Sequence, residues 1–132
     1  MIDKEFDRPI NIFTLPYYNN VNRQLEREVG DWLRDNAYAN PKRYSNDLRH
    51  QYASALYARN IGSDLTNKLG MLNEIFDASG SGRDDTAIDK YNNSLGIQYG
   101  INNPNLSKQE LLKLLFNDWQ NNVDKRRADI GI

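Results

Sequence analysis

The chain is predicted to be an all-α fold, a single compact domain of about five helices with an extended N-terminal arm, and three observations predict it. Apolar residues recur at spacings of three and four through most of the 132 residues. Pro9, Pro16 and Pro41, with Gly62 and the Gly80-Ser81-Gly82 run, fall between those periodic stretches. A Ser-x-x-Glu pair, Ser107 and Glu110, stands directly before a leucine-rich run, as a capping box does.

Taken in order, residues 1–16 form the arm and 17–132 the helical domain. Pro9 and Pro16 punctuate the arm, and Ile10, Ile12, Phe13 and Leu15 give it a short extended character. With Phe6 these make five large apolar side chains, so the arm is expected to seat on a surface, its own domain or a protein partner. The first helix is expected from Asn19 or Asn20, with Val21, Leu25, Val29, Trp32 and Leu33 on one stripe, ending near Asn36 ahead of Pro41. The second is expected from Ser45 or Asn46 to Asn60, with Gly62 as a left-handed stop. Steps of 100° place Leu48, Tyr52, Ala53, Ala55, Leu56 and Tyr57 on one arc, with Arg49 inside it and His50 at its edge. A third helix, capped by Ser63, carries Leu65, Leu69, Leu72, Ile75 and Phe76. A fourth is expected from Asp84 to Leu95 with Ala87, Ile88, Tyr91 and Leu95 inward, followed by an irregular link between Gly96 and Gly100. The last follows Ser107 and buries Leu111, Leu112, Leu115, Phe116, Trp119 and Val123.

Composition removes several function classes. A formal charge of −1 with both signs interspersed argues against nucleic-acid binding through a basic face. No apolar run reaches the roughly 18–20 residues of a membrane span, and the acidic start lacks the apolar core of a secretory signal. The expected location is therefore a virion or a host cytoplasm. With no cysteine and one histidine, thiolate sites, disulfides and multi-histidine zinc sites cannot be built. No resident metal or other cofactor is expected in the principal reading. The 18 asparagines suit caps and turns.

The chemically capable side chains gather between Asp47 and Gly100. Arg49 on an apolar arc needs a counter-charge, because an unpaired buried charge costs several kcal/mol. Glu74 and Asp89 are the nearest acids, with Asp47 a weaker one, so a polar clamp of Arg49, Asp89, Asn92 and Asn93 across the central helices is expected. His50 and Glu74 are the candidate catalytic pair, His50 as a general base. Asp89 and Asn92, three apart, share a helix face.

In order and spacing, Arg49-His50 with Tyr52-Ala53-Ser54-Ala55, then Asn73-Glu74, then Asp89, Asn92-Asn93 and Gly96 resemble a small helical domain. That domain is found at the C-terminal ends of bacterial polymorphic toxins and wall-associated proteins, and in phage-encoded proteins. The resemblance implies a hydrolytic, metal-assisted site built from His50, Glu74, Asp89 and Asn92. Asn73 departs from it, standing where the pattern has histidine and so removing a proton-transfer group or ligand. The principal expectation is thus a non-enzymatic assembly protein, a bacteriophage virion or virion-associated component, that meets protein partners through its arm. The alternative is a small toxin-like hydrolase using Mg²⁺ or Mn²⁺ at the four residues just named. A host-protein-binding adaptor or inhibitor is the third.

Overall fold

A computed structural model describes residues 3–36, 41–68 and 86–129, with side chains described over 3–36, 47–68 and 90–120. Among these residues there is no strand. A 3-10 turn at Lys4–Phe6 precedes α1 (Leu15–Asp35), α2 (Pro41–Ile61), a helical segment α3 over 63–68, α4 (Thr86–Asn102) and α5 (Lys108–Asp129).

Two helices start earlier than their sequence suggests, and proline is the reason in both. Pro16 lies in the first turn of α1, and Pro41 is the first residue of α2. The missing N–H costs nothing there, because first-turn N–H groups have no intrahelical acceptor. The stop of α2 is as expected. Gly62 has φ +91°, and its amide donates to the Ala58 carbonyl at 2.9 Å. The Gly62 carbonyl in turn accepts from the Thr66 amide at 3.2 Å, so Gly62, rather than Ser63, is the residue from which α3 starts. In α3, Leu65 is 40 % exposed and Thr66 is buried. Leu69, Leu72, Ile75 and Phe76 lie outside the described residues. The cap of α5 forms as its sequence signals, with the Glu110 amide donating to Ser107 Oγ at 3.1 Å.

The central element is α2, which packs against α1, α4, α5 and the 3-10 turn. Leu48, Tyr52, Ala55, Leu56, Tyr57 and Ala58 of α2 are buried. From α1 the core takes Tyr18, Val21, Leu25, Val29 and Leu33, and from α5 Leu111, Leu112, Leu115 and Phe116. Most of these residues lie on the stripes expected from the sequence; Tyr18 and Ala58 are additions to them, Trp32 and Ala53 are only partly buried, and the side chain of Val123 lies outside the described residues.

The fourth helix departs from expectation. It runs unbroken through Gly96 and Gly100 to Asn102; among its described side chains Asn92, Gly96, Ile97 and Gly100 are buried and Tyr91 and Leu95 only partly so, while those of Ala87 and Ile88 lie outside the described residues. An added Cβ at Gly96 would sit 2.3 Å from the Gln51 carbonyl oxygen, and one at Gly100 2.1 Å from that of Ala55. Both members of each pair advance by four residues, so α2 and α4 run parallel, backbone nearly on backbone. Glycine's usual helix penalty is offset here by an approach no larger residue permits.

Candidate functional site

Two polar clusters and one exposed apolar ledge lie on this frame. The first cluster is sewn along the α2–α4 seam. Asn92 is fully buried; its Oδ1 accepts from Gln51 Nε2 at 2.9 Å, and its Nδ2 donates to Asp47 Oδ1 at 2.9 Å. The other Asp47 oxygen accepts from Trp119 Nε1 at 2.7 Å, so one carboxylate joins α2, α4 and α5. One turn outward, His50 Nδ1 and Ser54 Oγ each lie 3.2 Å from Asn93 Oδ1. An amide oxygen only accepts, so His50 carries its proton on Nδ1 when it makes this bond.

The second cluster fixes the arm, and it holds a buried arginine, Arg59. Arg59, with its side chain 4 % exposed, forks onto Asp3 through Nε (2.7 Å) and Nη2 (2.8 Å). Its Nη1 donates to the Leu106 carbonyl at 2.8 Å, so one guanidinium ties the arm to the α4–α5 connection. Asn60 completes the grip, accepting from the Asp3 amide and donating to Asp3 Oδ2, both at 2.7 Å. Lys108 bridges Glu5 and Glu28, the latter at 3.3 Å, and the Tyr52 hydroxyl donates to Glu28 at 2.9 Å. Phe6 is buried and meets Tyr57 edge-on with ring centroids 4.8 Å apart.

Burial by itself would raise the Asp3 carboxyl, but hydrogen bonds from Arg59 and Asn60 and the charges of Arg59 and Lys108 outweigh it. The group is held below its ordinary 3.8. At Glu5 burial again acts upward, and the bond and charge of Lys108 bring it below 4.5. Burial drives the Tyr52 hydroxyl far up, reinforced by the adjacent Glu28 carboxylate, so Tyr52 stays a neutral donor.

Of the expected clamp, Asn92 and Asn93 lie on the seam. The Arg49 side chain is 38 % exposed and meets Glu26 at 3.6 Å, a surface pairing of small worth; a pairing with Asp89 lies outside the described residues. Arg59 follows Tyr52 by seven residues, two helical turns, and lies within the same apolar arc as Arg49, so helix phase alone does not rank the two. Glu74 falls outside the described residues; Asp89 is within α4, its side chain outside them. His50 shares the Asn93 Oδ1 acceptor with Ser54. A cleft of about 740 Å³ opens between α1 and α5, lined by Glu28, Trp32, Tyr52, Lys108 and Leu112 among others. Neither His50 nor Asn92 lines it. Among the described residues no three His, Cys, Asp or Glu side chains group as metal ligands, and no helix is long and apolar enough to cross a membrane.

The five arm residues divide. Phe6 is buried and Ile10 packs partly buried against the core, whereas Ile12, Phe13 and Leu15 are 75 %, 86 % and 42 % exposed. Leu15 belongs to the first turn of α1 rather than to an extended segment. The ledge is shaped by the Asn11–Thr14 turn: Asn11 Oδ1 accepts from the Phe13 amide at 2.9 Å, and Thr14 Oγ1 accepts from the Asn11 amide at 2.9 Å. Hydrogen bonds of this kind are the local alternative that Asn and Thr offer the backbone.

No protein-family model matches the chain, and neither a curated protein nor a solved structure was found to match it.

Proposed function

We propose that this chain is a non-enzymatic assembly protein that attaches to protein partners through its N-terminal arm, with a bacteriophage virion as the setting. The observation that carries the reading is the division of the arm. Asp3, Glu5 and Phe6 are pinned to α2 and α5, while Ile12 and Phe13 next to them are held outward at 75 % and 86 % exposure. Large apolar side chains clustered in water on a braced turn favour a protein contact. The hydrolase reading needs Asn92 at a reacting substrate. Asn92 is instead fully buried, with its amide used by Gln51 and Asp47.

The test is retention in the high-molecular-mass fraction of cells producing the chain. Ile12→Asn/Phe13→Asn should leave the helix content unchanged and release the chain from that fraction, and His50→Ala should remain in it. A double variant that stays assembled, or hydrolytic activity lost on His50→Ala, overturns the reading.

A further inference from the structure

The arm's anchoring surface and its linker differ in a way that points to what the arm does. Residues 3–10 are held by contacts to α2 and α5 and, ten to twelve residues on, to Tyr17 and Tyr18 of α1, whose hydroxyls donate to the Glu5 and Arg8 carbonyls. Asp3 bonds Arg59 and Asn60, Glu5 meets Lys108, Phe6 meets Tyr57, and the Tyr17 hydroxyl donates to the Glu5 carbonyl at 2.8 Å. Nothing in that set depends on the arm belonging to the same copy as the surface it lies on. By contrast, the link from arm to α1 is the Asn11–Thr14 turn, whose side-chain hydrogen bonds are all solvent-exposed. Opening it exchanges those bonds for bonds to water at small net cost. The same turn holds Ile12 and Phe13 out in solvent, where they add nothing to the monomer.

We infer that residues 3–10 exchange between two copies of the chain, the turn at Asn11–Thr14 opening so that each arm docks on the partner's Arg59, Tyr57 and Lys108. This rests on the attachment reading above and names its partner as a second copy. In the exchanged pair each arm contact is regained across the interface, and the two opened linkers bring Ile12 and Phe13 of both copies together. Area favours exchange over a simple face-to-face pair. Ile12, Phe13 and Leu15 present less than about 500 Å² per copy, against the roughly 800 Å² per partner of a stable dimer. The arm's docking surface supplies the remainder only when the arm crosses over.

The Phe6–Tyr57 ring contact reports directly on the exchange in the unaltered chain. Carbon-13-labelled and unlabelled chains are mixed in urea and refolded together, the oligomer is measured by sedimentation, and isotope-filtered NMR is recorded. Exchange predicts a dimer with Phe6–Tyr57 cross-peaks between labelled and unlabelled chains. It also predicts that Ile12→Asn/Phe13→Asn raises the dimer dissociation constant by more than about tenfold, as loss of a buried aromatic would. A monomer at every concentration, or a dimer whose Phe6–Tyr57 cross-peaks all arise within one chain, overturns the exchange. If the double variant nevertheless leaves the high-molecular-mass fraction, the attachment reading survives that failure.

Discussion

Gly96→Ala is the sharpest probe of the fold, because two physical expectations for it have opposite signs. In a solvated helix interior, alanine for glycine stabilises by roughly 1 kcal/mol. At Gly96 the new methyl would lie 2.3 Å from the Gln51 carbonyl oxygen, 2.8 Å from its Cα and 2.9 Å from its carbonyl carbon. These are backbone atoms, which cannot rotate away, so α4 must retreat by more than about 1 Å to reach an ordinary carbon–oxygen separation. Such a retreat opens the seam that Asn92 closes with two 2.9 Å bonds, to Gln51 and Asp47. Overpacking costs about 1–3 kcal/mol, and a buried polar group left unsatisfied about 1–3 kcal/mol more. After subtracting the propensity gain, Gly96→Ala should destabilise by roughly 1–5 kcal/mol, centred near about 3, a fall in Tm on the order of 10 °C for a domain of this size. Gly30 supplies the control, since nothing lies within 4 Å of a Cβ built there. Urea unfolding of both variants decides the matter. If Gly96→Ala stabilises the chain as Gly30→Ala should, the close parallel α2–α4 seam is wrong.

Two further outcomes follow from the polar clusters. The Asp3 and Glu5 carboxyls are held below 3.8 and 4.5, so the folded state binds fewer protons than the unfolded state in acid. Their contribution is fully present above those ordinary values and is lost as pH falls through the lowered ones. Hydrogen exchange at the Phe6 amide, which bonds the Asp3 carbonyl at 3.0 Å, should therefore lose protection below about pH 4, ahead of the α1 and α5 amides. Equal loss at all sites would refute an arm governed by these two acids. On the seam, Asn92→Ala should cost about 2–3 kcal/mol in urea unfolding because Gln51 and Asp47 are left unmatched in a buried place, whereas His50→Ala, at a partly exposed 3.2 Å bond, should cost about 1 kcal/mol or less. The reverse order would move the structural centre of the seam from Asn92 to His50.

The sequence alone determined the helical class, the stripes of α1 and α5, the Ser107 cap and the Gly62 stop. Each is written in local spacing or in one residue's backbone preference, and local rules act the same wherever the chain goes. It also contained Arg59 within the α2 arc, but Arg49 shares that arc, and helix phase does not say which arginine meets a distant acid. What local spacing cannot carry is which residues far apart in the chain meet. Only the tertiary structure decided that Asp3 is Arg59's partner, 56 residues away in sequence, and that the arm's apolar residues split into buried Phe6 and exposed Phe13. The inward face of α4 was hidden for a related reason. Hydrophobic periodicity finds faces that bury large apolar groups, and Asn92, Gly96 and Gly100 face inward because they are small or fully hydrogen-bonded. Their value exists only when α2 lies against them, so it is a property of the pair of helices and of neither sequence segment by itself.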